Sequence, residues 1–92
     1  MQWIDTPESS HISGFAYDPE QSTLFLEFKH KTIYSYQAVP KTVFQSFRIA
    51  GSKGKFFHSE IKTHYQCKKT IIDRYGRPDR QTEFQWRHNE TE

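Results

Sequence analysis

Alternating apolar and polar positions predict three β-strands in the first part of the chain. Residues 12–17 form a short apolar run, and the Pro-containing segment 18–22 that follows has the composition of a turn. Residues 24–28 alternate with period two, and residues 32–36 continue the strand pattern after a short polar link. Strands joined by such short links are typical of an antiparallel meander.

The pattern becomes helical after Pro40, a residue type that is favoured in the first turn of a helix. Apolar residues between 43 and 50 fall on one helical face, and Gly51 suits the position after the helix end. Ser52 can cap a second helix, whose stripe covers residues 57–65. The pattern therefore predicts an α+β domain, in which a three-stranded antiparallel meander is covered by two helices.

The predicted core uses the apolar stripes of these elements. An aromatic content of 16% favours a small core, because each ring buries a large area. The pattern weakens beyond residue 65, so we expect a domain at 9–65 and a C-terminal extension at 66–92, either an added hairpin or a mobile tail. The residues expected in the main core are Leu24, Leu26, Phe44, Phe47, Phe57 and Ile61.

The amino-acid composition and the distribution of charge limit the kinds of protein that this chain can be. A single cysteine, Cys67, excludes an internal disulfide framework. The first ten residues show neither a signal-peptide nor a membrane-spanning pattern, so a cytoplasmic protein without membrane contact is expected. The net charge of +2 is spread unevenly, since residues 29–69 hold nine Lys and Arg but one acidic residue. A basic block of this kind favours an anionic partner.

Tyr34 and Tyr36 flank one small residue in the third predicted strand. Side chains two positions apart on a strand share a face, so the two rings either pack in the core or form a platform on which bases stack. Ile33 shares the opposite face with Ser35, and that face is poor in large residues. This asymmetry favours the core for the tyrosine face.

A series of short motifs follows in order through the predicted domain. In chain order they are Ser9-Ser10-His11-Ile12, Gly14, Tyr17-Asp18-Pro19, the strand at 24–28, Ile33-Tyr34-Ser35-Tyr36, Val39-Pro40, Ala50, Ser52-Lys53-Gly54, Phe57, Ile61 and Tyr65. With these motifs the chain resembles the KTSC domain, which is named for the C-terminal extension of some lysyl-tRNA synthetases and also forms small stand-alone bacterial and phage proteins. The function of that family is undetermined, and its synthetase context suggests RNA binding.

Two positions depart from the family pattern. A Gly that is common in the second hairpin is absent from the link at 29–31. An Asn that is common after the Phe pair is replaced by His58. The extension at 66–92 lies outside the pattern, so the resemblance implies nothing about it.

The turn between the predicted helices is the candidate anion-binding loop. Gly51, Ser52 and Gly54 lie there together with Lys53 and Lys55, beside a possible helix start where N–H groups point outward. The spacing is not that of a Walker loop, and no strand precedes it. An ordinary interhelix turn is the alternative interpretation.

The basic block and the tyrosine pair supply the candidate nucleic-acid contacts. Lysines would contact phosphates, and the tyrosine rings would stack on bases. A solvated helical face is the alternative for the lysines. The predicted nucleic-acid-binding residues are Lys53, Lys55, Lys62, Lys69, Tyr34 and Tyr36.

No catalytic residue, metal site or cofactor is predicted. Glu60 and His64 have i, i+4 spacing but lack further ligands, and Cys67 lacks an activating base. The leading hypothesis is therefore a small non-enzymatic module that binds RNA or other nucleic acid through a basic surface. The alternative is a protein-interaction or self-associating module that uses exposed aromatics such as Trp3, Phe25 and Trp86. A third class, an enzyme or small-nucleotide binder, would be supported by a concave pocket beside the glycine turn.

Overall fold

The fold is α+β, with one sheet and a helical layer. The structure is a computed structural model of the 92-residue chain, and it describes residues 2–70 and 73–75. The sheet is antiparallel, and its five described strands lie side by side in chain order. The elements are β1 (Ile4–Asp5), β2 (Ile12–Asp18), β3 (Thr23–Phe28), β4 (Ile33–Tyr36), α1 (Lys41–Ile49), α2 (Lys53–Phe56), a π-helical turn (Phe57–Ile61) and β5 (Cys67–Lys69).

The predicted three-stranded meander forms the centre of this wider sheet. Its strands correspond to β2, β3 and β4, while β1 is added at one edge and β5 at the other. Neither edge strand could be read from an apolar alternation, because β1 has two residues and β5 consists of Cys and two lysines. The strand count was therefore wrong. Edge strands are specified by backbone pairing with a neighbour, and their side chains need not be apolar.

An irregularity in β2 increases the apolar face that meets the helices. The register of β2 against β3 shifts between Ile12 and Gly14. A bulge of this kind changes which side chains point to a given face. As a result Ile12 and Phe15 both lie in the hydrophobic core, although strict alternation would place them on opposite faces.

The core is formed by residues of the sheet, of α1 and of the π-helical turn. Five of the six predicted core residues are buried there, and Phe44 is half-buried with its ring stacked on Tyr17 at 4.5 Å between centroids. Phe47 is fully buried, with its ring centroid 5.0 Å from that of Phe15. The buried core cluster consists of Ile12, Phe15, Leu24, Leu26, Tyr36, Val39, Phe47, Phe57 and Ile61.

The second helix begins as predicted and ends early. The Ser52 hydroxyl caps α2 by accepting the Lys55 backbone N–H at 3.3 Å. The helix then widens into the π-helical turn, where the Lys62 N–H donates to the Phe57 carbonyl at 2.8 Å. The expected helical stripe to residue 65 was therefore wrong, because this turn closes the helix at Ile61. None of the described helices is long and apolar enough to cross a membrane.

The link at 29–31 contains backbone strain. Lys31 has a φ of 74°, in the left-handed region that side chains other than Gly rarely adopt. Its N–H donates to the Phe28 carbonyl at 2.8 Å, which closes the turn between β3 and β4. The link from which the common family Gly is absent thus contains a residue with a conformational cost.

On the sheet face away from the helices, Arg74 joins two carboxylates. Its guanidinium donates to Asp5 at 2.7 Å and to both carboxylate oxygens of Glu27. We call Arg74, Glu27 and Asp5 the Arg74 clamp. Its cation also lies over the Trp3 ring, with 4.9 Å from Cζ to the ring centroid. Gly14 makes room for it, since a Cβ there would come within 2.5 Å of the guanidinium.

Two of the three residues of the clamp are mostly withdrawn from water. The side chains of Arg74 and Glu27 are 14% and 12% exposed, and Glu27 also accepts the Ser13 hydroxyl at 2.8 Å. Burial opposes the charged form of Arg74, but the hydrogen bonds to Glu27 and Asp5 outweigh it and raise the pKa of Arg74. The Arg74 cation is therefore fully paired within the fold.

Candidate functional site

Two adjoining cavities form a groove between the chain that enters β2 and the start of α2. Their volumes are about 490 Å³ and 280 Å³. Four residues line both cavities and mark the junction: Ser10, His11, Gly54 and His58. We call the joined space the groove. It is a concave pocket beside the glycine turn, the feature expected to support the third class of function.

The larger cavity is the polar compartment. The candidate anion-binding residues Gly51, Ser52 and Gly54 all line it, so the structure brings this predicted set together. Hydroxyl, imidazole and ammonium groups surround the space, and these are groups that donate hydrogen bonds to anions. Besides the four shared residues, the polar compartment is lined by Glu8, Ser9, Gly51, Ser52, Lys53 and Lys55.

The smaller cavity is the aromatic compartment. Besides the shared residues it is lined by Phe28, Lys29, His30 and Phe57. The Phe28 ring centroid lies 5.4 Å from that of Phe57 and 6.0 Å from that of His30, each pair meeting edge to face. This compartment therefore presents ring edges and faces, while the polar compartment presents hydrogen-bond donors.

Local hydrogen bonds fix the chain that enters β2. The Ser9 hydroxyl oxygen accepts the backbone N–H of Ile12 at 3.1 Å and that of His11 at 3.3 Å. The Ser10 hydroxyl lies 3.0 Å from Nδ1 of His11. The His11 carbonyl accepts the Lys29 N–H at 2.9 Å, which ties this wall of the groove to the hairpin after β3.

Two histidines meet at the junction of the compartments. The His11 and His58 ring centroids are 6.5 Å apart with perpendicular planes, and the His58 ring also contacts Phe57 at 5.6 Å. Both residues are exposed. A Cβ on Gly54 would lie 3.5 Å from Nδ1 of His11, so the missing side chain leaves space at this junction. A Cβ on Gly51 would meet nothing within 4 Å.

The two loop lysines have different roles. Lys53 turns back, and its ammonium donates to the carbonyls of Arg48 and Ala50, each at 2.9 Å. It thereby satisfies carbonyl groups at the end of α1. Lys55 is exposed at the groove, and its ammonium has no hydrogen bond or ion pair to another described residue. Lys55 is therefore the loop cation available to a ligand.

The remaining predicted contacts lie outside the groove lining. Tyr36 is 4% exposed in the core, and burial, together with the nearby Cys67 thiol, raises the pKa of its phenol. Tyr34 is half-buried with its ring 5.7 Å from that of Phe28. Lys69 pairs with Tyr34 across β4 and β5, and Lys62 is exposed after the π-helical turn. The Tyr36 ring thus has a structural position.

Sequence reasoning did not single out His11 and His58 as groove residues. They are separated by most of the domain, and only the fold brings His11, before β2, and His58, in the π-helical turn, together. The signals that could have found them are the Ser9-Ser10-His11 motif and the departure at His58. Among residues 2–70 and 73–75, no group of three or more His, Cys, Asp or Glu could hold a metal ion.

Comparison with known proteins identifies a shared module. The sequence profile of the KTSC domain matches residues 8–65. The chain is 43% identical over 60 residues to a lysine–tRNA ligase from Nostoc sp., a match that covers 65% of this chain and 11% of the ligase. It is 40% identical over 60 residues to an uncharacterized protein from Stutzerimonas stutzeri, covering 64% of this chain and 84% of that protein.

A solved structure has the same fold. A KTSC domain protein from Yersinia pestis superposes with a TM-score of 0.71 at 36% sequence identity, over 75% of this chain and 96% of that one. The match to the ligase, by contrast, spans about a tenth of its length. The profile match contains the groove, whereas β1, β5 and Arg74 lie outside it.

Proposed function

The chain belongs to the KTSC domain family, and we propose that it is a non-enzymatic module that binds single-stranded RNA by its phosphates in the groove. The observation that carries this proposal is the polar compartment, in which an available ammonium lies beside hydroxyls and two imidazoles. The similarity to part of a lysine–tRNA ligase supports an RNA context.

The groups of the polar compartment suit phosphate oxygens. Lys55 supplies a full positive charge, and the hydroxyls of Ser10 and Ser52 can donate hydrogen bonds to an anion. Lys29 adds a second cation at the aromatic compartment. The Glu8 carboxylate in the lining opposes an anion, so the lysines must outweigh it. We expect the groove to attract phosphate on balance.

A salt-dependent titration tests this proposal. Single-stranded RNA should bind with an affinity that falls as salt rises, and each phosphate contact should add about 0.7 to the slope of log K against log salt. Lys55→Ala should weaken binding to all sequences alike. Lys41→Ala is the matched control, because Lys41 is an exposed lysine at the start of α1 and outside the groove lining. Equal losses in both variants would contradict a groove-centred site.

The protein-interaction alternative rests on aromatics that the fold uses elsewhere. Trp3 and Phe25 are half-buried with their ring centroids 6.5 Å apart, and Arg74 covers the Trp3 ring. Trp86 lies outside the described residues. Self-association at micromolar concentration in light scattering, without any RNA binding, would favour this alternative over the proposed function.

A further inference from the structure

We infer that the groove seats one nucleotide unit, with its phosphate in the polar compartment and its base in the aromatic compartment. This inference rests on the proposed function and names the chemical class that the groove selects. A nucleotide joins an anionic group to a flat ring, and the groove joins donors to rings in the same way.

The two compartments of the groove are joined, which is the first support for the inference. Ser10, His11, Gly54 and His58 line both cavities, so a single ligand can extend from one into the other across this junction. The absent side chain at Gly54 leaves the junction open beside His11. A bare anion would occupy the polar compartment and leave the aromatic one unused.

The aromatic rings along the groove are the second support for the inference. His11, His58, Phe57, Phe28 and His30 form a continuous series of edge contacts, with neighbouring centroids between 5.4 and 6.5 Å apart. Phe28 is half-buried and His30 is exposed, so ring surface remains for a ligand. Stacking of a base on such rings tolerates any sequence, because every base has a π-face.

The lysines in the lining of the two compartments are the third support for the inference. The polar compartment has Lys55, and Lys29 lies on the lining of the aromatic compartment. A neighbouring phosphate of the same strand would therefore meet a second cation on the lining of the aromatic compartment. Neutral aromatic ligands would leave both ammonium groups unused, whereas a nucleotide in a strand would use them.

A panel of small ligands separates the two compartments. We would measure the affinity of the full chain for inorganic phosphate, ribose 5-phosphate, adenosine and adenosine 5′-monophosphate by calorimetry at low salt. The nucleotide should bind about tenfold more tightly than ribose 5-phosphate, because it adds base stacking to the same phosphate contacts. Equal affinity of the two phosphate ligands would overturn the inference.

Two substitutions locate each part of the ligand. Phe28→Leu keeps an apolar side chain of similar size but removes the ring, so it should abolish the advantage of the nucleotide over ribose 5-phosphate. Lys55→Ala should lower the affinity for the nucleotide and for ribose 5-phosphate by the same factor. His30→Ala tests the aromatic compartment without touching the core, because His30 is exposed. If Phe28→Leu and His30→Ala both leave the advantage of the nucleotide intact, the base is not held there and the inference fails.

The panel also separates this inference from the proposed function. Salt-dependent RNA binding with no preference for the nucleotide over ribose 5-phosphate would leave the RNA module and remove the nucleotide seat. A base-dependent preference for the mononucleotide without RNA binding would do the reverse, since the seat would exist without an RNA function.

Discussion

The Arg74 clamp and the groove are both polar, but they use charge in opposite ways. In the clamp, a largely buried guanidinium is hydrogen-bonded to Glu27 and Asp5 and covers Trp3. In the groove, Lys55 and the imidazoles of His11 and His58 are exposed around open space. The cation of the clamp is thus paired within the fold, whereas the Lys55 ammonium in the groove is available to a partner.

Under the proposed function, this difference separates a structural polar cluster from a binding one. Charge alone does not decide it, because both regions contain cations. Burial and internal pairing mark the clamp, and exposure around a cavity marks the groove. Lys53 follows the same rule within the groove lining, since its ammonium donates to the carbonyls of Arg48 and Ala50 at the end of α1.

The largest expected effect is on the clamp. Arg74→Ala leaves the Glu27 carboxylate without its cation on a face that is mostly closed to water. Loss of one partner from such a pair should lower the free energy of unfolding by about 3 kcal/mol. Chemical denaturation followed by fluorescence would measure it.

Asp5→Asn is the matched control for Arg74→Ala. The Asp5 side chain is 71% exposed, so this ion pair should contribute at most about 1 kcal/mol. A clamp that tolerates Arg74→Ala as easily as Asp5→Asn would not be structural, and the contrast between the two regions would disappear.

The next largest effect is a loss of nucleotide affinity without a loss of protein stability. Gly54→Ala places a methyl group 3.5 Å from Nδ1 of His11 at the junction of the groove, whereas Gly51→Ala points into open space. We expect Gly54→Ala to weaken nucleotide binding about tenfold, which corresponds to ~1.4 kcal/mol. It should not lower the melting temperature, because Ala is the better helix former by about 0.5–1 kcal/mol.

Gly51→Ala supplies the control for this experiment. It adds the same methyl group to another residue of the polar compartment, where no protein atom lies within 4 Å of the added carbon, so it should weaken binding less than Gly54→Ala does. If the two variants bind equally well, the junction at His11 does not contact the ligand.

The smallest effect concerns the hairpin that supplies Lys29 and His30 to the groove. Lys31→Gly removes the cost of a left-handed backbone at φ 74° and should stabilise the fold by about 1 kcal/mol. Calorimetric melting would measure the gain. Nucleotide affinity should stay the same because Lys31 does not line the groove. A loss of stability would mean that the Lys31 side chain has a role beyond its backbone.

Local patterns were enough to predict much of the fold. The central strands, the start of α1 and the Ser52 cap follow from apolar periodicity and capping chemistry that act over a few residues. The two edge strands and the π-helical turn depend on pairing and packing with distant segments, which no local pattern records.

Only part of the groove, and none of the contacts of the clamp, could be predicted from the sequence. The Gly51, Ser52 and Gly54 loop was identified because its residues are adjacent in the chain. The opposite wall of the groove comes from His11, and the clamp joins Arg74 to Glu27, so both depend on contacts across the fold. Residues that meet only through tertiary structure leave no spacing signal.

The most direct test of the account compares Lys55→Ala with Arg74→Ala in one salt titration with single-stranded RNA. We expect Lys55→Ala to flatten the slope of log K against log salt by about 0.7 and to keep the stability of the protein. Arg74→Ala, measured where it remains folded, should keep the slope and lose stability. Wild-type protein without salt-dependent binding, or a slope that changes with Arg74 and not with Lys55, would contradict the account.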